Sequence, residues 1–297
     1  MKRAWIKPPS SVVLKVSGKD ARRYLNNRLS NDLRNLAPGS VTAAAALTPQ
    51  GKVEGLFTVF CDADDRFYLA CDGGVRQAIF AALGRYIVAD RVSIEDISSS
   101  ADMIHVSGER EEISAELSSL GSDLVDYRLG VSPLSALGCV LVVLSGSAET
   151  ARVAEMWGEP ISQEQYHAQR FSGGFPQYPT EVNEEVILTE CKLASAVSFS
   201  KGCYVGQEVI ERSDAIGRLP RHLERIVLQG LEAPQPGASV IGSDGTVIGK
   251  VVSSLAELQR KRVLVFALLR TGRYTAADSV TCGALSGAVL SSEETTI

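Results

Sequence analysis

Lys201-Gly202-Cys203-Tyr204-Val205-Gly206-Gln207-Glu208 is the densest run of chemically distinctive residues in this chain. Two glycines frame a cysteine and a tyrosine, and an amide–carboxylate pair follows. Glycine permits backbone conformations that other residues resist and lets a ligand approach closely. Tyr204 offers a ring face and a hydroxyl, and Gln207 and Glu208 offer directional hydrogen bonds. Lys201 puts a positive charge near Cys203 in sequence, and closeness in space would favour the thiolate, the reactive form of cysteine. The bland alternative is a glycine-rich turn around a buried structural thiol. Apolar segments at 196–199 and 209–210 flank the block.

Upstream, hydrophobic spacing predicts a strand over 11–16, a helix over 18–33, strands over 41–47, 56–60 and 67–71, a helix over 73–88 and a strand over 92–97. A second unit follows with the same rhythm: strand 103–106, helix 109–120, strands 124–127 and 139–144, helix 148–157. This pattern fits antiparallel sheets with helices on one face, an α+β class. Residues 158–190, with Gly173-Gly174, Pro176 and Pro179, read as irregular. Beyond about residue 222, short strands between Gly, Pro and Asp turns read as a small β-barrel, with strands over 225–228, 238–241, 247–253, 263–269 and 280–290.

Composition bounds the function. The 297 residues are 45% hydrophobic and 22% charged, ordinary for a folded protein of two or three domains. The net charge of -5 lacks the basic surplus of a dedicated nucleic-acid binder. No apolar run reaches membrane-helix length, and the start MKRAWIKPPS has no signal-peptide core. The expected location is cytoplasmic, with an organelle matrix left open. The six cysteines, at 61, 71, 139, 191, 203 and 282, show no CxxC spacing, and His105, His167 and His222 are scattered. That gives no metal site and no disulfide framework, and the three histidines receive no function.

The block at 201–208 resembles the KGCYxGQE signature of the YgfZ-type folate-binding proteins, of the T-protein or aminomethyltransferase-like superfamily. Val197-Ser198-Phe199, Glu211-Arg212, the helix around Tyr24-Leu25-Asn26, the hairpin Leu47-Thr48-Pro49-Gln50-Gly51 and Ile248-Gly249-Lys250-Val251 extend the likeness over most of the chain, most weakly at 100–160. The resemblance implies a T-protein-like three-domain ring of two antiparallel sheet-plus-helix units and a C-terminal small β-barrel around a central folate channel. Its units are 1–100 (completed by 165–221), a ferredoxin-like 101–164, and 222–297. It implies bound tetrahydrofolate, support for assembly or repair of [4Fe–4S] enzymes, transient contact with a cluster, and iron–sulfur client or scaffold proteins as partners, with neither nucleic acid nor membrane.

Cys203 is then the functional or redox thiol, with Lys201, Gly202, Tyr204, Gly206, Gln207 and Glu208 as its motif. The folate-binding set is Glu190, Tyr204, Gln207 and Arg170. The chain departs from the enzymes of the superfamily at two places. Gly51-Lys52-Val53-Glu54-Gly55 offers one acid where T-proteins carry paired aspartates, and Ser172 stands where they carry a pterin-binding glutamate. A serine cannot accept the two parallel hydrogen bonds of a pterin edge. Classical turnover is therefore not expected. Two alternatives stand beside the binding-protein reading: a folate-dependent aminomethyltransferase or demethylase using Glu54, and an interaction protein of the same fold without folate.

Overall fold

The computed structural model describes residues 3–120, 126–144, 147–216 and 219–290. The chain opens with β1 (Trp5–Ile6) and β2 (Ser11–Ser17), then α1 (Ala21–Arg28), β3 (Val41–Leu47), β4 (Val53–Ala63), β5 (Arg66–Asp72), α2 (Arg76–Gly84) and β6 (Ser93–Asp96). Five of these strands form one antiparallel sheet in the order β3-β4-β5-β2-β6. The second unit contains β7 (Asp102–Ser107), α3 (Arg110–Ser119), β8 (Tyr127–Val131), β9 (Gly138–Val143) and α4 (Ser147–Trp157). Its sheet runs β1-β7-β9-β8, so the first residues of the chain pair with β7 rather than with the first sheet.

β4 is buried along nearly its whole length because it has cores on both faces. On one face Val53, Phe57 and Val59 pack with Tyr24, Leu25 and Leu29 of the α1 region, and with Tyr178, Leu188, Tyr204 and Ile210 from much later in the chain. On the other face Phe60, with Val13, Tyr68 and Ala70, meets Met103, Val140 and Val142 of the second sheet. The two sheets thus lie face to face, which explains the continuous apolar runs in their strands.

Residues 158–190 are not irregular throughout: α5 (Gln163–Gly173) lies within them. Its start is fixed by a capping box in which Ser162 accepts from Gln165 N and the Gln165 side chain accepts from Ser162 N. Its end is fixed by left-handed Gly174. Tyr166 packs with Ile6 and Leu137 of the second unit, and Phe171 packs with Leu223, Leu264 and Phe266 of the barrel. α5 is therefore the bridge between them. After α6 (Gln207–Ile216), six strands close a barrel in the order β10-β13-β12-β11-β14-β15, formed by β10 (Arg221–Gln229), β11 (Ser239–Gly242), β12 (Val247–Glu257), β13 (Arg262–Arg270), β14 (Ser279–Cys282) and β15 (Leu285–Val289). The single strand predicted over 280–290 is a hairpin that turns at Gly283.

Candidate functional site

The 201–208 block sits where the end of α1 meets the β3–β4 hairpin. Val205 N donates to Asn27 O, and Lys201 Nζ donates to the carbonyls of Asn26, Leu29 (2.7 Å) and Asn31 (2.7 Å). All three ammonium hydrogens thus serve the open carbonyls at and beyond the C-terminal end of α1, where a cation is favoured. Burial pushes the Lys201 ammonium down to about 8, against the pull of Asp32. Lys201 thus caps the C-terminal end of α1.

Gly206 has φ +86, and a Cβ there would stand 2.6 Å from Thr48 O, so the block touches the hairpin backbone directly. Tyr204 is buried under the Lys201 ammonium, 4.9 Å from its ring centroid, and its hydroxyl has no partner among the described residues. Gln207 accepts from Tyr204 N and donates to Glu211, while Glu208 is exposed in the first turn of α6.

Between these anchors Gly202 and Cys203 face outward. Cys203 is the exposed cysteine, and the other five are buried. Burial raises the thiols of Cys61, Cys71, Cys139, Cys191 and Cys282, that of Cys71 to about 12. Among the described residues no group of three or more His, Cys, Asp or Glu is placed to hold a metal ion. No helix among them is long and apolar enough to cross a membrane.

The remaining predicted site residues lie elsewhere, each engaged in the fold. Glu190 is buried, caps Ile187 N at 3.0 Å and is bound by Arg221 at 2.9 Å. Arg170 donates to Glu181 (3.0 Å) and Phe175 O (2.8 Å), and Glu181 also accepts from Gln177 N and Ser253 Oγ. Glu54 has both oxygens occupied, by Arg28 at 2.7 Å and Arg85 at 3.0 Å, and Arg28 is itself buried. Ser172 lines a cleft of about 940 Å³ between α5 and the turn Glu257 to Arg260, and its carbonyl accepts from Arg225.

What the sequence did not reveal is a polar cluster where the two sheets and the residues after α5 converge. His105 Nδ1 lies 2.9 Å from Ser135 Oγ, and Ser135 Oγ donates to Cys139 O. On its other side His105 Nε2 stands 3.2 Å from Asp72 Oδ2, an electrostatic contact rather than an aligned hydrogen bond. Asp72 Oδ1 has no partner among the described residues. Burial alone would raise the Asp72 carboxyl, but the His105 imidazole and the Arg170 charge outweigh it and hold it below the ordinary carboxylate value. Despite its Ser–His–Asp order, this cluster cannot act on a substrate, because Ser135 and His105 are buried.

The hollow beside the cluster is lined by Leu56, Thr58, Asp72, His105, Arg170 and Tyr178, among others, and measures about 20 Å³. That is room for roughly one water by the same measure. The unpartnered Asp72 oxygen suits a donor.

Two stacked antiparallel sheets joined through a bridging helix to a closed six-stranded barrel define the T-protein-like class of α+β proteins. Residues 11–123 match the GCVT N-terminal domain. It is 27% identical over 270 residues to the mitochondrial iron–sulfur cluster assembly factor IBA57 of Homo sapiens, covering 80% of this chain and 71% of that protein. It is 23% identical over 239 residues to the tRNA-modifying protein YgfZ of Cronobacter sakazakii, covering 76% of this chain and 71% of the relative. The glycine cleavage aminomethyltransferase T structure from Bartonella henselae superposes with a TM-score of 0.83 at 16% identity, over 98% of this chain and 85% of that one.

Proposed function

We propose that this protein supports the assembly or repair of iron–sulfur enzymes, those with [4Fe–4S] clusters in particular, by presenting the thiol of Cys203 to a partner. One observation carries this reading: of six cysteines, the exposed one stands in the 201–208 block, between residues fixed to α1 and to the β3–β4 hairpin. The role of the human relative as an iron–sulfur cluster assembly factor supports the same reading. A [4Fe–4S] centre ordinarily takes four thiolates, so a single cysteine contributes one ligand or one exchanging thiol, and the partner supplies the others.

Tetrahydrofolate comes to this chain through the resemblance to the folate-binding proteins of this superfamily. Aminomethyl transfer is disfavoured because Glu54, the acid it would need, is closed off by two arginines.

The deciding experiment replaces Cys203 with Ser in cells that depend on the protein. The activity of a [4Fe–4S] dehydratase should fall to the level of the deletion, while the purified variant keeps the wild-type melting temperature, since exposed substitutions shift stability by about 0.5 kcal/mol or less. Full dehydratase activity in the variant would remove the thiol from the mechanism. Calorimetric titration of the wild-type protein with tetrahydrofolate tests whether folate binding accompanies this role: saturable heat supports it, and its absence removes folate from the reading.

A further inference from the structure

We propose that the cleft between the barrel and the loop at 180–186 is a binding site for a small organic dianion, a phosphate ester or a dicarboxylate with an apolar body. The cleft measures about 580 Å³, within the range of small-molecule sites, and lies at a junction between structural units, where such sites concentrate.

Its barrel wall carries three cations on three neighbouring strands. Arg270 of β13 is paired in register with Arg221 of β10, and Lys250 of β12 is paired with Leu268, two residues before Arg270. All three residues line the cleft, and the register places them on one face of the sheet. Like charges placed directly opposite destabilise a sheet, so this arrangement has an unfavourable component that an anion would relieve.

The charges facing the cleft do not cancel within it. Arg221 is compensated by Glu190, and Glu181 is bound by Arg170. Lys250 and Arg270 have no ion-pair partner among the described residues, and both are exposed. The other carboxylate lining the cleft, Glu185, is exposed.

The roof of the cleft is fixed in advance. Lys52 Nζ and Arg221 Nη2 both donate to Glu185 O, at 2.9 and 2.8 Å, so the loop need not be ordered when a ligand arrives. Val186, Val247, Val252 and Leu268 give the cleft an apolar lining. A charged head between Lys250 and Arg270, with an apolar body against these side chains, uses both features.

The test is calorimetric titration of the full chain at low ionic strength with phenyl phosphate and with phthalate, which pair an aromatic body with a phosphate or a dicarboxylate head. At least one should bind at a single saturable site in the millimolar range or tighter, and more weakly as salt is added. Preference for one probe assigns the head group. The double variant Lys250→Gln/Arg270→Gln should weaken binding by roughly tenfold or more, the loss of at least one charge-assisted hydrogen bond. Lys19→Gln, outside the cleft, should leave binding unchanged. Failure of both probes to saturate, or equal affinity in wild type and double variant, overturns the assignment. Neither outcome bears on Cys203.

Discussion

At the scale of single residues, the 201–208 block divides into parts that hold and a part that is held out. Gly206 belongs to the first kind, because its positive φ and its contact with Thr48 O leave no place for a Cβ. Gly206→Ala is expected to cost about 1–3 kcal/mol from backbone strain alone, read as a lower urea midpoint at unchanged slope. Gly202 is of the other kind, since an added Cβ there would meet nothing within 4 Å, so Gly202→Ala should leave stability nearly unchanged. The same contrast predicts thiol chemistry. One equivalent of an aromatic disulfide reagent should react rapidly with the native chain, that equivalent should vanish in Cys203→Ser, and five more should appear only on unfolding. Several fast equivalents in the native state would show that the five other thiols are not sealed.

At the scale of elements, Lys201 acts on α1. Replacing it with Met leaves the Asn26, Leu29 and Asn31 carbonyls without their common donor, and the expected loss is about 1–3 kcal/mol for stranding buried acceptors. Arginine should not rescue it, because a planar fork does not match three converging carbonyls.

The strands were legible in the sequence because their apolar runs are bounded by turn residues, and β3 appears at its predicted limits. α5 was not, because few of its residues are apolar and the two that anchor it, Tyr166 and Phe171, face different neighbours and are spaced by five. The legible signal was the Ser162–Gln165 capping box immediately before it. The candidate site was half legible: a local motif such as 201–208 is contiguous, whereas Asp72, His105, Ser135 and Tyr166 come from four separated segments that only the packed sheets bring together.

At the scale of the whole molecule, that central cluster holds the units in place. Asp72 ends β5 in the first sheet, His105 lies on β7 in the second, and the Tyr166 hydroxyl of α5 approaches Asp72 Oδ2 at 3.5 Å. The folded-state carboxyl of Asp72 is held below its unfolded value, so its contribution to stability is complete above the unfolded carboxylate pKa and is lost as pH falls through the folded one. Each unit of lowering corresponds to about 1.4 kcal/mol. Asp72→Asn removes this proton-linked part while keeping the side chain's shape. The variant should therefore be less stable than the wild type near neutral pH, and the gap should narrow as the pH drops below about 4. Urea midpoints of both proteins across that range measure the gap directly, since the other carboxylates titrate alike in the two. A gap that stays constant with pH would mean that the Asp72 charge contributes nothing to joining the sheets, and that the cluster serves only by its shape.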